Sequence, residues 1–506
     1  MHFSFNMDSE FKKNRFALTA IIYATFLLDN ILLTVIVPIL PDYLASFKNT
    51  SENSNIPPSV LYKNFDMHYI PNTMLNKHPV AGNTMKNVSK EIQHQHLIQG
   101  HEFNVEMENE RVGLLLAMKA FIQLFFNPIV GNVLATRFGY KSTIFFGTIS
   151  LLMASLFFAM GDSFIILLIA RAIEGIGSSC VNVCGMSLIA HLYPEDHQRS
   201  KVMGIILGSI ALGVLIGYPL GGFLYDFVSE SAPFIIICGF LFTDLAFQLT
   251  FFDLTRNENE INDEENQVKH GSSQWIQLLS NKLIFCIALA IWMSTSAMAI
   301  LEPLLPIWLI AHLHPKKWQL GTVFIPDSMG YFLGTNFFGT LSYKVGQIKM
   351  SVLAIMIVGI SCVVIPEAKN VSSLIIPHFC LGLGIGVLDT SLVPYLARLA
   401  DAISQDETNE NLDIDAASNY GSVYAIQQTS VSLAYSVVPF LAGEMVQTVG
   451  FPSIMRLLGV CNFIYGPILL IVTIRHNLSN VTTKQPDLLL KETNPSNYRR
   501  FYDSIE

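Results

Sequence analysis

Charge is what this 506-residue chain has least of. Asp, Glu, Lys and Arg together make up 14% of it, against about 25% in soluble domains. Too few polar side chains are present to cover a globule of this size with a water-facing surface. Cysteine is also scarce. All seven (Cys180, Cys184, Cys238, Cys286, Cys362, Cys380 and Cys461) fall inside apolar stretches, none spaced Cys-x-x-Cys, which argues against a disulfide scaffold or a thiolate metal centre. No G-x-S-x-G, H-E-x-x-H or P-loop spacing occurs. The chain is therefore read as a non-enzyme with no catalytic residues, no metal site and no cofactor of its own. Its formal charge of −9 is spread over loops and says little about partners; no nucleic acid is expected among them.

Apolar length is what is there. Hydrophobic residues make up 51% of the chain and the mean hydropathy is +0.44. Twelve apolar stretches run through 16–40, 112–136, 142–161, 164–192, 202–225, 232–252, 282–311, 319–342, 351–366, 371–399, 420–446 and 453–474. Most reach the ~20 residues that cross a ~30 Å hydrocarbon core. The pattern predicts an all-α membrane protein with the lipid bilayer as its solvent. The first stretch is too long for a signal-peptide core and contains Asp29, so it is read as a retained helix. Lys12, Lys13, Arg15, Arg137, Lys141, Arg199, Lys201, Lys344, Lys349, Arg398 and Arg475 fall on one side, and only Lys316, Lys317 and Lys369 in the opposite short loops. Both termini are thus expected in the cytoplasm. The polar loop 42–111 then lies on the lumenal side, with glycosylation expected at the sequons of Asn49 and Asn87. His94, His96 and His101 in it read as solvated loop residues.

The two halves look like repeats. Pro38-Ile-Leu-Pro41 ends the first stretch and Pro303-Leu-Leu-Pro306 the seventh; GNVLATRFGYK (131–141) follows the second and GTLSYKVGQIK (339–349) the eighth. Such order predicts two six-helix units with substrate bound between them near the midplane. The expected divisions are a cytoplasmic N-terminus 1–15, a first bundle 16–253, a linker 254–281, a second bundle 282–475 and a tail 476–506. Gly382-Leu-Gly-Ile-Gly386 sits inside an apolar stretch, where small residues permit close helix contact rather than nucleotide binding.

Ionisable residues inside the spans carry the functional signal, because each costs roughly 2.5–3.5 kcal/mol at mid-helix. The set is Asp29, Lys119, Arg171, Glu174, Asp244, Glu302 and Asp389, two positive and five negative, a sum of −3. An excess of acid suits a cationic ligand or protons. Lys119, Gln123 and Asn127 share one helix face; Arg171, Glu174, Ser178 and Asn182 share another; Tyr424, Gln428 and Tyr435 share a third, with Ser432 at its edge.

Long motifs, LLDNILLTVIVPILP (27–41), RVGLLLAMKAFIQLFFNP (111–128), ARAIEGIGSSC (170–180), LEPLLPIWL (301–309), GYFLGTN (330–336), GVLDTSLVP (386–394) and NYGSVYAI (419–426), resemble the vesicular amine transporters of the major facilitator superfamily, more the monoamine than the acetylcholine branch. The helix-5 antiporter signature survives as Gly213, Gly217, Pro219, Gly221 and Gly222. The resemblance implies a proton-coupled antiporter that loads cationic monoamines of the serotonin, dopamine, noradrenaline or histamine type into acidic secretory or synaptic vesicles. A separate vesicular pump would supply the proton gradient. The alternatives are an acetylcholine, polyamine or xenobiotic-cation antiporter, or a transport-dead scaffold. It implies substrate binding by Asp29, Asn30, Glu302, Tyr331, Asp389 and Tyr435, with proton coupling through Asp29, Glu302 and Asp389. Lys119, Gln123, Asn127, Arg171, Glu174, Ser178 and Gln428 would form a polar network, and Trp308 and Phe324 a lumenal gate. A monomer is expected, with sorting adaptors recognising the tail near Leu488–Leu490.

Two departures from that family pattern pair up. Gln428 stands where the family has Asp, and Glu174 where it has Gln. Lys119 is therefore expected to find its carboxylates in Glu174 and Asp29; the alternative is that Glu174 pairs only with Arg171 and Lys119 relies on Asp29.

Overall fold

The computed structural model describes residues 2–37, 113–161, 163–252, 275–276, 278–313, 319, 322–408 and 416–492, with side chains described throughout these except at 2–14, 226, 404–419, 447 and 477–492. The sequons at Asn49 and Asn87, the loop 42–111 with its histidines, and the linker 254–274 lie outside the described residues, as do the side chains of Leu488–Leu490.

Helices follow from apolar side chains, since a backbone in hydrocarbon must satisfy its own hydrogen bonds. In chain order they are α1 (His2–Val35); α2 and α3, the two parts of the helical segment Gly113–Ala159; α4 (Phe164–Leu192); α5 (Asp196–Phe227); α6 (Ala232–Phe251); α7 (Lys282–Leu313); α8 (Ile325–Val345); α9 (Gln347–Val364); α10 (Ile375–Thr408); α11 (Ala416–Val449); and α12 (Phe451–Glu492). Among the described residues, ten stretches are long and apolar enough to cross a membrane. One of them, 47 residues long, breaks at Gly139 (φ 76°) into α2 and α3. Adding the more polar α8, 21 residues long, completes twelve spans. Gly346 (φ 114°) makes the equivalent turn between α8 and α9; both turns sit in left-handed backbone that only glycine adopts freely. The repeat read from the sequence thus reappears as a repeated turn.

Helix boundaries depart from the hydropathy limits. α5 starts at Asp196, six residues before 202, and the expected 131–141 connection is helical up to Gly139, with a π-helical turn at Val130–Leu134. α1 extends back to His2 and α12 forward to Glu492, into segments expected as a terminus and a tail. Hydropathy marks where a helix leaves the apolar layer. Polar helix formers such as Lys, Glu and Gln carry the helix on regardless.

Small residues set the packing. Gly213, Gly217 and Gly221 of the helix-5 signature lay α5 on Leu27, Ile31, Thr34 and Val35 of α1. Gly382 and Gly386 seat α10 on the main chain of Asp327 and Tyr331 of α8, and Gly384 meets Ala354 and Val358 of α9. The halves meet through Gly131 (α2) on Gly421 (α11), and through Gly204 (α5) on Thr335 (α8) with Gly339 (α8) on Ser200 (α5). Asn132 accepts from Ser422 at 2.7 Å and Gln347 donates to Ser200 at 3.2 Å across the same junction. These contacts seal the end of the molecule that carries the 2–3, 4–5 and 8–9 connections. Phe121, Phe125, Phe240 and Phe242 point outward, where lipid replaces water.

Candidate functional site

Asp29 lies in the apolar run of α1 and is 1% exposed. Lys119 of α2 donates to its Oδ1 at 3.0 Å, Ser178 of α4 donates to the same oxygen, and Asn182 reaches Oδ2 at 3.4 Å. Lys119 also stands 3.0 Å from Glu174 Oε1, an ion pair whose angle falls short of hydrogen-bond alignment. The other Glu174 oxygen accepts from Arg171 at 2.7 Å. Arg171 donates a second bond to the Leu33 carbonyl at 3.2 Å and lies 5.5 Å over the Phe158 ring. Two acids and two bases cancel here. Helical spacing explains the assembly: Arg171, Glu174, Ser178 and Asn182 project from one face of α4 toward α1 and α2. Lys119 is therefore held by Asp29 and Glu174 together, the two carboxylates the sequence offered once Gln428 replaced the family acid.

The rest of the predicted polar network is less concentrated. Asn127 donates to Ser432 of α11 at 3.1 Å, and Ser432 donates to the Gln428 carbonyl. Gln123 and Gln428 are half-buried. Asn30 spends its amide on the Phe26 carbonyl of its own helix. Asp244 joins none of this. It accepts from Thr25 and Gln248, each at 2.8 Å, and Gln248 reaches Thr148, tying α6 to α1 and α3. Tyr424 is buried at the sealed end against Met203 and the Val393 carbonyl, away from Tyr435.

Three of the carboxylates in the C-terminal half lie in its spans α7, α8 and α10. Glu302, the residue before Pro303 in α7, is accessible. Asp389 of α10 is half-buried and accepts from the Tyr331 hydroxyl at 2.8 Å. Asp327 is 6% exposed, in the first turn of α8. Among the described residues none of the three has a lysine, arginine or histidine at ion-pair distance. Trp308 and Phe324, the expected gate, have ring partners within their own half: His312 and Phe451 for Trp308, and His378 for Phe324.

Sequence reasoning missed three features. Asp327 lies inside the stretch 319–342, where a full charge count finds it. Tyr218 sits within the helix-5 signature and reads as part of a packing motif. Arg199 was assigned only to a loop, yet it is 0% exposed. It pairs with Asp401 of α10 at 2.8 Å and with Asp196, and Tyr420 of α11 donates to Asp401. That cluster ties the halves together at the sealed end, and no local periodicity signals it.

The Major Facilitator Superfamily profile matches residues 17–406. The human synaptic vesicular amine transporter is 35% identical over 479 residues, covering 91% of this chain and 88% of that one. The rat chromaffin granule amine transporter is 34% identical with the same coverage. The rat vesicular acetylcholine transporter is 28% identical, over 95% of this chain and 87% of its own. The solved human organic anion transporter MFSD10 (TETRAN) shares the fold at a TM-score of 0.66 and 15% identity, covering 90% of this chain and 99% of that one. The chain belongs to the Major Facilitator Superfamily, in its vesicular amine transporter branch.

Proposed function

We propose that this protein is a proton-coupled antiporter that moves cationic monoamines from the cytosol into an acidic vesicle, driven by a gradient that a separate pump maintains. The observation that carries the reading is an asymmetry of charge. Asp29 and Glu174 are neutralised within their half, whereas Glu302, Asp327 and Asp389 border the C-terminal half's side of the site with no cationic partner among the described residues. A substrate ammonium or protons supply the missing positive charge in turn, which is the requirement for exchange. Tyr331, Tyr435 and Tyr218 offer ring faces to an ammonium, each worth about 0.5–2 kcal/mol. With the N-terminus in the cytoplasm, the sealed end is cytoplasmic and the site communicates with the lumen. Relatives named for amines support the substrate class; the family's acetylcholine member keeps a quaternary-ammonium cargo as the second reading. The test is uptake of labelled amines into acidified vesicles that contain the purified chain. Ionophore-sensitive accumulation is expected; accumulation unaffected by collapsing the proton gradient overturns the coupling, and uptake of acetylcholine alone overturns the substrate class.

A further inference from the structure

Asp244 of α6 is 5% exposed and takes no part in the ion pairs of Asp29, Lys119, Arg171 and Glu174. Among the described residues no lysine, arginine or histidine stands at ion-pair distance from it. A carboxylate so placed is costly as an anion unless donors or a proton offset its charge.

Its surroundings hold more acceptors than hydrogens. Thr25 of α1 has one hydroxyl hydrogen and two acceptors within reach, Asp244 Oδ2 at 2.8 Å and the Ile21 carbonyl at 2.9 Å. Gln248, one turn along α6, has two amide hydrogens and three acceptors: Asp244 Oδ2 at 2.8 Å, Thr148 of α3 at 2.9 Å and Thr25 at 3.2 Å. Thr148 spends its own hydrogen on the Ile144 carbonyl at 3.0 Å. Gln248 is 0% exposed, and its Oε1 has no donor. One additional hydrogen fits this set without moving a heavy atom. With Asp244 ionised, Thr25 donates to it. With a proton on Oδ2, the acid donates to the Thr25 oxygen across the same 2.8 Å, and Thr25 turns its hydrogen to Ile21. Gln248 keeps its bonds in both states.

Other titratable groups on the helices packed against α6 offer no free base beside it. Asp29 of α1 is held by Lys119, and His197 of α5 stacks on Tyr343 at the sealed end. Tyr23 of α1 and Tyr140 and Lys141 of α3 are of types that already carry their protons at neutral pH. We propose that Asp244 is a proton-binding site outside the substrate path, loaded and emptied in each transport cycle, with Thr25 as its hydrogen-bonded link to α1. The ionised acid grips Thr25 through a charge-assisted bond, roughly twice as strong as the neutral bond that replaces it on protonation. Thr25 stands one turn before Asp29, so the proton loosens the hold of α6 on the helix that carries Asp29.

This inference rests on the proton-antiport reading, and the experiment separates the two. The full chain in lipid vesicles is taken from neutral to acid pH and followed by infrared difference spectroscopy in the carboxylic C=O region. The same vesicles are assayed for gradient-driven amine uptake and for amine counterflow without a gradient. Acidification should produce a protonated-carboxyl band that Asp244→Asn removes. Thr25→Val should shift that band in frequency, because it deletes the oxygen that accepts the acid's hydrogen. Asp244→Asn should also lower gradient-driven accumulation about tenfold more than counterflow. A band that neither variant changes overturns the inference. So does an Asp244→Asn protein whose accumulation and counterflow fall by the same factor, since that is a structural role. Where Asp244→Asn fails to reach the membrane, Thr25→Val decides, and an unshifted band overturns the inference. Amine uptake insensitive to an ionophore, with the Asp244 band intact, overturns the antiport reading and not the proton site.

Discussion

In the N-terminal half Asp29, Lys119, Glu174 and Arg171 cancel one another through contacts of about 3 Å, whereas in the C-terminal half Glu302, Asp327 and Asp389 have hydroxyl and ring neighbours and no described ion pair. Neutralising an acid should therefore have opposite structural consequences on the two sides. In the first half it strands a buried cation; in the second it removes an acid that has no cationic partner among the described residues. A closed network fixes geometry, while an open one is free to trade one cation for another. The comparison teaches that one half supplies the frame and the other the exchangeable charge.

The largest effect is expected at Glu174. Glu174→Gln leaves Lys119 and Arg171 with one carboxylate between them, and should cost about 3–5 kcal/mol of stability, read as a lower unfolding temperature, with uptake near background. Adding Gln428→Asp should restore a substantial part of the uptake. A silent Glu174→Gln, or no rescue, would break the idea that the charge has moved from α11 to α4.

Neutralising the acids sharpens the contrast between halves. Asp29→Asn, Glu302→Gln and Asp389→Asn should each reduce uptake about a hundredfold, equivalent to roughly 2.7 kcal/mol. Thermal unfolding should separate them: Asp29→Asn melts lower, while the two C-terminal variants melt at or above wild type. Equal destabilisation by all three would erase the distinction.

Arg199 offers a third test, at the junction itself. Its buried guanidinium bridges Asp196 and Asp401. Removing the inter-half partner with Asp401→Asn should cost about 2 kcal/mol and raise cysteine-reagent access from the sealed end. Unchanged access would mean that Gly131–Gly421 and Gly204–Thr335 packing alone closes it.

Smaller effects belong to backbone packing. Gly382→Ala places a Cβ 2.0 Å from the Asp327 carbonyl and should destabilise by about 1–3 kcal/mol, whereas Gly222→Ala meets nothing within 4 Å and should be neutral or slightly stabilising. Equal melting of the two proteins would show that α8 and α10 can separate at no cost. Last, a glycosidase should shift the gel mobility of native protein through Asn49 and Asn87; no shift would reverse the assignment of sides.

The site was legible to the extent that periodicity reports a shared face. Arg171, Glu174 and Ser178 recur at helical spacing, and that spacing alone places them together on α4. Which face of α1 and α2 they would meet depends on the α1–α5 glycine contacts, which orient Asp29 inward. Nothing local distinguishes Asp244, held by Thr25 and Gln248, from Asp389, held by one tyrosine. Both read as an acid in an apolar run. Asp327 fell in the one span too polar to register as strongly apolar, so its burial became visible only when α10 lay against it.

By itself the sequence determined that the chain is a twelve-helix membrane bundle in two repeats, because bilayer thickness and hydropathy leave few other solutions. It also marked Asp29, Lys119, Arg171, Glu174 and Asp244 as buried, each deep in an apolar run, but not Asp327 or Arg199. The tertiary structure alone decided which of them pair. Pairing depends on helix rotation and on approach distances of a few ångströms, set by glycines far apart in the chain. It is those contacts that neutralise Asp29 and leave Asp327 buried with no ion pair among the described residues.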